Sequence, residues 1–134
     1  MTSGSRTSIS AFPRGHEFPA ARFAIGADAI AAYLRSVGDH GDYRGCVPPL
    51  AAVALGLSAL QAHISLPDGS LHTGQEVEQT GPVPEGEDLT LTGRIAQRSE
   101  RQGFVISVIE FEISGSGAAA VHARTTIMAP AAEK

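Results

Sequence analysis

The chain has 134 residues, 43% of them hydrophobic and only 18% charged, and 14 acidic against 10 basic side chains leave a net charge of -4. That length supports one domain with a core of its own. The acidic balance argues against a nucleic-acid-binding face, and no run approaches the ~20 apolar residues of a membrane span. A single cysteine, Cys46, excludes an internal disulfide and suits a reducing cytoplasm.

Residues 1–20 mix Ser, Gly, Pro and Arg without a period and lack the apolar core of a signal peptide, so they read as a flexible polar arm. Ala21–Ile25 is a strand candidate. In the next segment Ile30, Tyr33, Leu34 and Val37 fall at i, i+3, i+4 and i+7, the stripe of an amphipathic helix. Gly38 is placed to end it, because glycine accepts positive φ. A polar loop, Asp39–Gly45, follows. Pro48 and Pro49 then fit the first turn of a second helix, where a missing N–H costs nothing. From Leu50 to Gln61 no charge appears on any side, which predicts a helix buried all round at the centre of the domain. Gly56 weakens that helix by about 1 kcal/mol relative to alanine, and close packing against another backbone would compensate.

After the turn at Leu66–Ser70 the pattern changes to strands. Gly74–Thr80 is one candidate. Leu89–Ile95 alternates, with Leu89, Leu91 and Ile95 on one face. Phe104–Ile113 puts Val105, Ile109, Phe111 and Ile113 on one face and Phe104, Ile106, Val108, Glu110 and Glu112 on the other. The last run sets Val121, Ala123, Thr125 and Ile127 against His122, Arg124, Thr126 and Met128. Two helices and then about four strands, three of them joined by short turns, make an α+β domain with an antiparallel sheet. The doubly apolar start of Phe104–Ile113 suggests that the outer face also touches something, another subunit being one candidate.

The order strand, short helix, Val37-Gly38-Asp39 loop, Pro48-Pro49 and buried helix, followed by GSLHTGQEVEQTGPVPEGEDLTLTGRI (residues 69–95), resembles the MaoC-like hydratases and dehydratases of the hotdog fold. The Gln-containing strand, the Pro-Val-x-x-Gly turn, the strand through Phe104–Ile113 and the final Ala-Arg-Thr-Thr-Ile-Met carry the likeness. It implies a single hotdog domain over residues 21–130, a curved antiparallel sheet wrapped around a long central helix, with 131–134 as a disordered tail. It also implies water added to or removed from a 3-hydroxyacyl or enoyl thioester of coenzyme A or an acyl carrier protein. The chain would work as a homodimer or as a heterodimer with another hotdog chain, without a cofactor. The catalytic half-type carries Gly-Asp-x-Asn-Pro-x-His before the central helix. Gly38-Asp39 matches its start, but no Asn-Pro follows and Arg44 stands where the His belongs. Pro48-Pro49 is more similar to the other half-type, often a non-catalytic partner that holds the acyl tail.

Hydrating an enoyl thioester needs a base for water, an acid for the α-carbon and donors for the enolate oxygen. Asp39 is the candidate that orients or activates water, with His72 or His40 as its proton-transfer partner. The free N–H groups of Leu50 and Ala51 at a helix N-terminus would hold the thioester carbonyl. Asp42, Tyr43, Gly74 and Gln75 are candidate substrate contacts. Plainer readings stand beside these. Asp39 and Asp42 suit a turn by bonding nearby backbone N–H groups, and His40 and His72 suit solvated loops. Cys46 is a small residue at a helix start or, at that same N-terminus, an activated thiol. Tyr33 belongs to the first helix's stripe. His63 reaches helix C-terminal carbonyls, His122 lies at a surface or interface, and His16 lies in the arm. Arg35, Arg44 and Arg94 are scattered candidates for the carrier's phosphates. The histidines lack the paired spacing of a zinc site, so no metal is expected. Two further functions remain open, a non-catalytic acyl-binding subunit and a hotdog thioesterase.

Overall fold

Ten elements follow one another among the described residues. The computed structural model describes residues 6–38, 46–47, 49–115 and 119–131, with backbone alone at Pro49, Leu50 and Ala119. β1 (Thr7–Ser8) leads into a 3-10 turn at Ile9–Ala11, then β2 (Ala21–Ala24), α1 (Ala27–Val37), α2 (Pro49–Leu60), β3 (Ile64–Ser65), β4 (Leu71–Gln79), β5 (Asp88–Arg101), β6 (Phe104–Ser114) and β7 (Ala119–Pro130). Five strands form one antiparallel sheet in the order β2-β5-β6-β7-β4, while β1 and β3 pair in parallel beside it. Among the described residues no helix is long and apolar enough to cross a membrane.

The strands alternate as their sequences do. Leu89, Leu91 and Ile95 of β5, Val105, Ile109, Phe111 and Ile113 of β6, and Val121, Ala123 and Ile127 of β7 are buried on the inner face. β5 runs six residues beyond the expected Ile95, so Arg98–Arg101 are strand. Only Gln102 and Gly103 turn the chain, both at positive φ (51° and 85°), the geometry of a two-residue hairpin loop. Register shifts between Ile95 and Gln97 and between His72 and Gly74 insert an extra residue in β5 and in β4, and such bulges bend a sheet.

α1 ends as its sequence indicates. Gly38 takes a left-handed conformation (φ 69°) and its N–H reaches the Arg35 and Leu34 carbonyls. α2 starts at Pro49, but it is not buried all round. Ala51, Ala52, Val53, Gly56 and Leu60 face the sheet, whereas Ala54 and Ser58 on the far side are exposed. The central helix is twelve residues, about 18 Å long. Its lack of charge reflects small side chains, Ala and Ser, on the open side. The close approach expected at Gly56 is real, but the neighbours are the side chains of Leu91, Ile113 and Phe111 rather than another backbone.

The arm is the larger correction. Ile9 is fully buried, Phe12 and Phe18 belong to the core, and Ser10 Oγ donates to the Pro130 carbonyl at 2.6 Å. Thr7 N–H reaches the His63 carbonyl, and Gly15 and Phe18 N–H groups reach the carbonyls of Ile95 and Gly93. His16 packs against Phe12 and Phe18, tilted on one and edge-on to the other, with ring centroids 4.6 and 5.0 Å away. Residues 6–18 are thus part of the domain. Single apolar residues, spaced without a period because each enters the core through a different turn, gave no pattern to read.

Candidate functional site

α2 and the start of β4 frame an apolar cleft. Leu57, Leu60 and Gln61 come from the end of α2, Ile64 and Leu66 from the segment after it, Ser70, Leu71 and His72 from the start of β4, and Ile109, Thr125 and Ile127 from the inner face of β6 and β7. Its volume is about 110 Å³. The floor is buried: Leu60, Ile64, Ile109, Thr125 and Ile127 are all shielded from solvent. The mouth is open, with Leu66 45% and Leu71 54% exposed beside His72 and Gln61. An apolar pocket with few convergent polar groups is the usual form of a small-ligand site.

The bulge in β4 sets the polar edge of this mouth. His72 Nε2 lies 2.9 Å from the Gly74 carbonyl. A carbonyl only accepts, so Nε2 is the donor of that bond. Gly74 permits the turn-back by lying against Thr126, whose Oγ1 would be 3.4 Å from a Cβ at that position. Gln75 faces inward next to it and is fixed three ways. Its Nε2 donates to the carbonyls of Arg124 (3.1 Å) and Glu76 (3.3 Å), and its Oε1 accepts from Thr125 Oγ1 (2.9 Å). Thr125 and the aliphatic lining are the residues that sequence reasoning passed over. The available signal was Thr125 itself, a hydroxyl on the inward face of an alternating strand.

The other expected site residues are elsewhere. Asp39, His40, Asp42, Tyr43 and Arg44 lie outside the described residues. Leu50 and Ala51 sit in the first turn of α2, where N–H groups have no partner within the helix. That turn belongs to the opposite end of the sheet from His72. Val47 N–H bonds to the Val83 carbonyl at 2.7 Å, which holds the α2 start beside the β4–β5 turn, at the Gln79 end of β4. His72 is seven residues back along β4, about 23 Å away at strand rise. Within one chain, His72 and the Ala51 N–H do not form one site.

Arg94 is not free for a phosphate either, since its Nη2 is 2.6 Å from Glu110 Oε1. Glu110 also meets Arg124 at 3.3 Å, and His122 Nδ1 stands 3.4 Å from Glu112. These pairs lie on the outer sheet face, where Glu110, Glu112, His122 and Arg124 line a shallow hollow of about 400 Å³ with Glu76 and Glu78. Register explains it: Glu76, Arg124, Glu110 and Arg94 form one cross-strand row over β4, β7, β6 and β5. Glu110 is paired with both arginines of that row, so it belongs to a solvent-exposed charge ladder. His63 uses its backbone N–H, bonded to the Leu60 carbonyl, to end α2. Cys46 is half-buried in a bridge with Pro84. Tyr33 packs against the core, as its stripe indicates. Among the described residues no His, Cys, Asp and Glu cluster is arranged to hold a metal.

Comparison with solved structures identifies the architecture. The chain superposes on a monoamine oxidase regulatory protein from Archaeoglobus with a TM-score of 0.80 at 7% identity, covering 99% of this chain and 100% of that one. A MaoC-like dehydratase from Rhodospirillum rubrum matches at 0.73 and 15% identity, over 96% and 99%. The (3R)-hydroxyacyl-ACP dehydratase complex of Mycobacterium tuberculosis matches at 0.71 and 20%, over 90% and 99%. No family model and no curated protein matches. The fold is therefore the α+β hotdog, shared with MaoC-like dehydratases and hydratases.

Proposed function

We propose that the chain is a hotdog hydratase or dehydratase of acyl thioesters, and that the cleft between α2 and β7 receives the acyl tail. The observation that carries this reading is the buried aliphatic floor under a mouth edged by His72, in a fold shared with enzymes of that chemistry. A thioester of coenzyme A or of an acyl carrier protein would lay its tail on Leu60, Ile109 and Ile127. In the hydration direction, a base takes a proton from water and the hydroxide adds to the β-carbon. The electron pair moves onto the thioester oxygen, and the α-carbon then takes a proton, which resolves the enolate. Asp39 is the base or orienting carboxylate, the Leu50 and Ala51 N–H groups hold the oxygen, and His40 or His72 transfers the proton.

A second chain completes this arrangement. Among the described residues β4 is bonded on one side only, to β7. Antiparallel pairing of two β4 edges would bring the His72 end of one chain to the Gln79 end of the other, where the partner's α2 begins. A homodimer, or a heterodimer with another hotdog chain, is the assembly that unites cleft, histidine and helix N-terminus. We place this protein in the cytoplasm, which suits its one free cysteine.

The test is turnover of crotonyl-CoA by the purified chain, read as loss of the enoyl absorbance. Turnover that falls at least a hundredfold in Asp39→Asn supports the hydratase. Arg44 in the position of the family's histidine favours a second reading, a subunit that binds the tail for a catalytic partner. That reading predicts silence from the chain alone and activity on adding the partner. Release of free thiol would instead identify a thioesterase.

A further inference from the structure

We propose that the cleft is a short-chain pocket that accommodates about four acyl carbons, with Ile109 and Ile127 as the residues that set the limit. This rests on the reading of the cleft as the acyl site. The volume is about 110 Å³, and a dry cavity of roughly 150 Å³ holds the six carbons of benzene, so each carbon takes about 25 Å³. Ile109 is 1% exposed and Ile127 8%, and both project from central strands beside Phe111, Ala129 and the buried Ser107 and Thr125. Ile109 and Ile127 line the cleft together with the exposed Leu66 and Leu71 at its mouth. Behind them lies the sheet backbone, bonded on both sides through β6 and β7. Relaxation toward a longer tail would have to break that pairing, so the limit is stiff.

Each methylene buried before the limit strengthens binding about fourfold, and each one beyond it gains nothing. The experiment measures dissociation constants of acetyl-, butyryl-, hexanoyl-, octanoyl- and palmitoyl-CoA for the full chain by calorimetry. The expected profile tightens roughly fifteenfold from acetyl to butyryl and is level or weaker from hexanoyl onward. In Ile127→Ala the optimum moves to hexanoyl or octanoyl, and Ile127→Val, a milder core change, moves it partway. Affinity that keeps rising through palmitoyl in the native chain overturns the length limit and leaves the acyl site standing. An Ile127→Ala profile identical to the native one overturns the assignment of that residue as the stop. Acyl-CoAs that bind no better than free CoA at any length overturn the acyl site itself, and the limit with it.

Discussion

Gly56 lies so close to Leu91 that a Cβ on it would stand 2.9 Å from Leu91 Cδ1, with Ile113 Cδ1 at 3.0 Å. Both neighbours are fully buried, so neither has room to swing away. This contact sets how near α2 comes to the sheet, and hence the width of the cleft at the helix's far end. Gly56→Ala gains about 1 kcal/mol of helix propensity and incurs overpacking of about 1–3 kcal/mol. A net loss is expected, visible as a lower urea midpoint with unchanged m-value, and Gly56→Val should lose more. A more stable Gly56→Ala would show that helix and sheet are not pressed together here.

Ile9→Ala tests whether the first segment belongs to the core. Ile9 is fully buried, and truncating such a side chain costs about 2–5 kcal/mol. Thermal unfolding of the variant should therefore begin well below that of the native chain. An unchanged midpoint is what a solvent-borne arm would give.

How much of this was legible follows from the kind of signal each part leaves. The alternation of Leu89–Ile95, Phe104–Ile113 and Val121–Ile127 names the inner face residue by residue, because a strand with one buried face writes its pattern directly. The α1 stripe and its Gly38 cap were equally plain. The packed start was hidden, since Ile9, Phe12 and Phe18 enter through separate turns. The cleft was hidden for another reason. Its lining comes from α2, the segment after it, and three strands, and of the residues singled out in the sequence as site candidates only His72 is among them. The separation of His72 from the α2 start was unreadable, because spacing in sequence does not reveal which end of a strand a helix begins beside.

Thr125 and Gln75 should be coupled. Thr125→Val keeps the shape of the floor and removes the 2.9 Å bond to Gln75 Oε1, whose remaining lone pair faces water. The expected cost is about 1 kcal/mol, and Gln75→Ala should cost little more when made on top of it. A double-mutant cycle measures this directly, and fully additive effects would show that the bond holds nothing in place.

Glu110 joins Arg94 and Arg124 at the surface of the sheet. All three side chains are about a third to a half exposed. Glu110→Gln should therefore lower stability by less than about 1 kcal/mol, and the difference should shrink as salt rises. Urea unfolding at low and high ionic strength reads both effects. A larger, salt-independent loss would mark the ladder as a structural element rather than a solvated one.

The acyl site is tested most directly by methyl NMR of the isoleucine-labelled chain during titration with butyryl-CoA. Ile109, Ile127 and Ile64 line the cleft, while Ile106 lies on the opposite face of the same sheet. The account predicts saturable shifts at the first three and none at Ile106. Shifts at Ile106 with a silent Ile109 and Ile127 would contradict it.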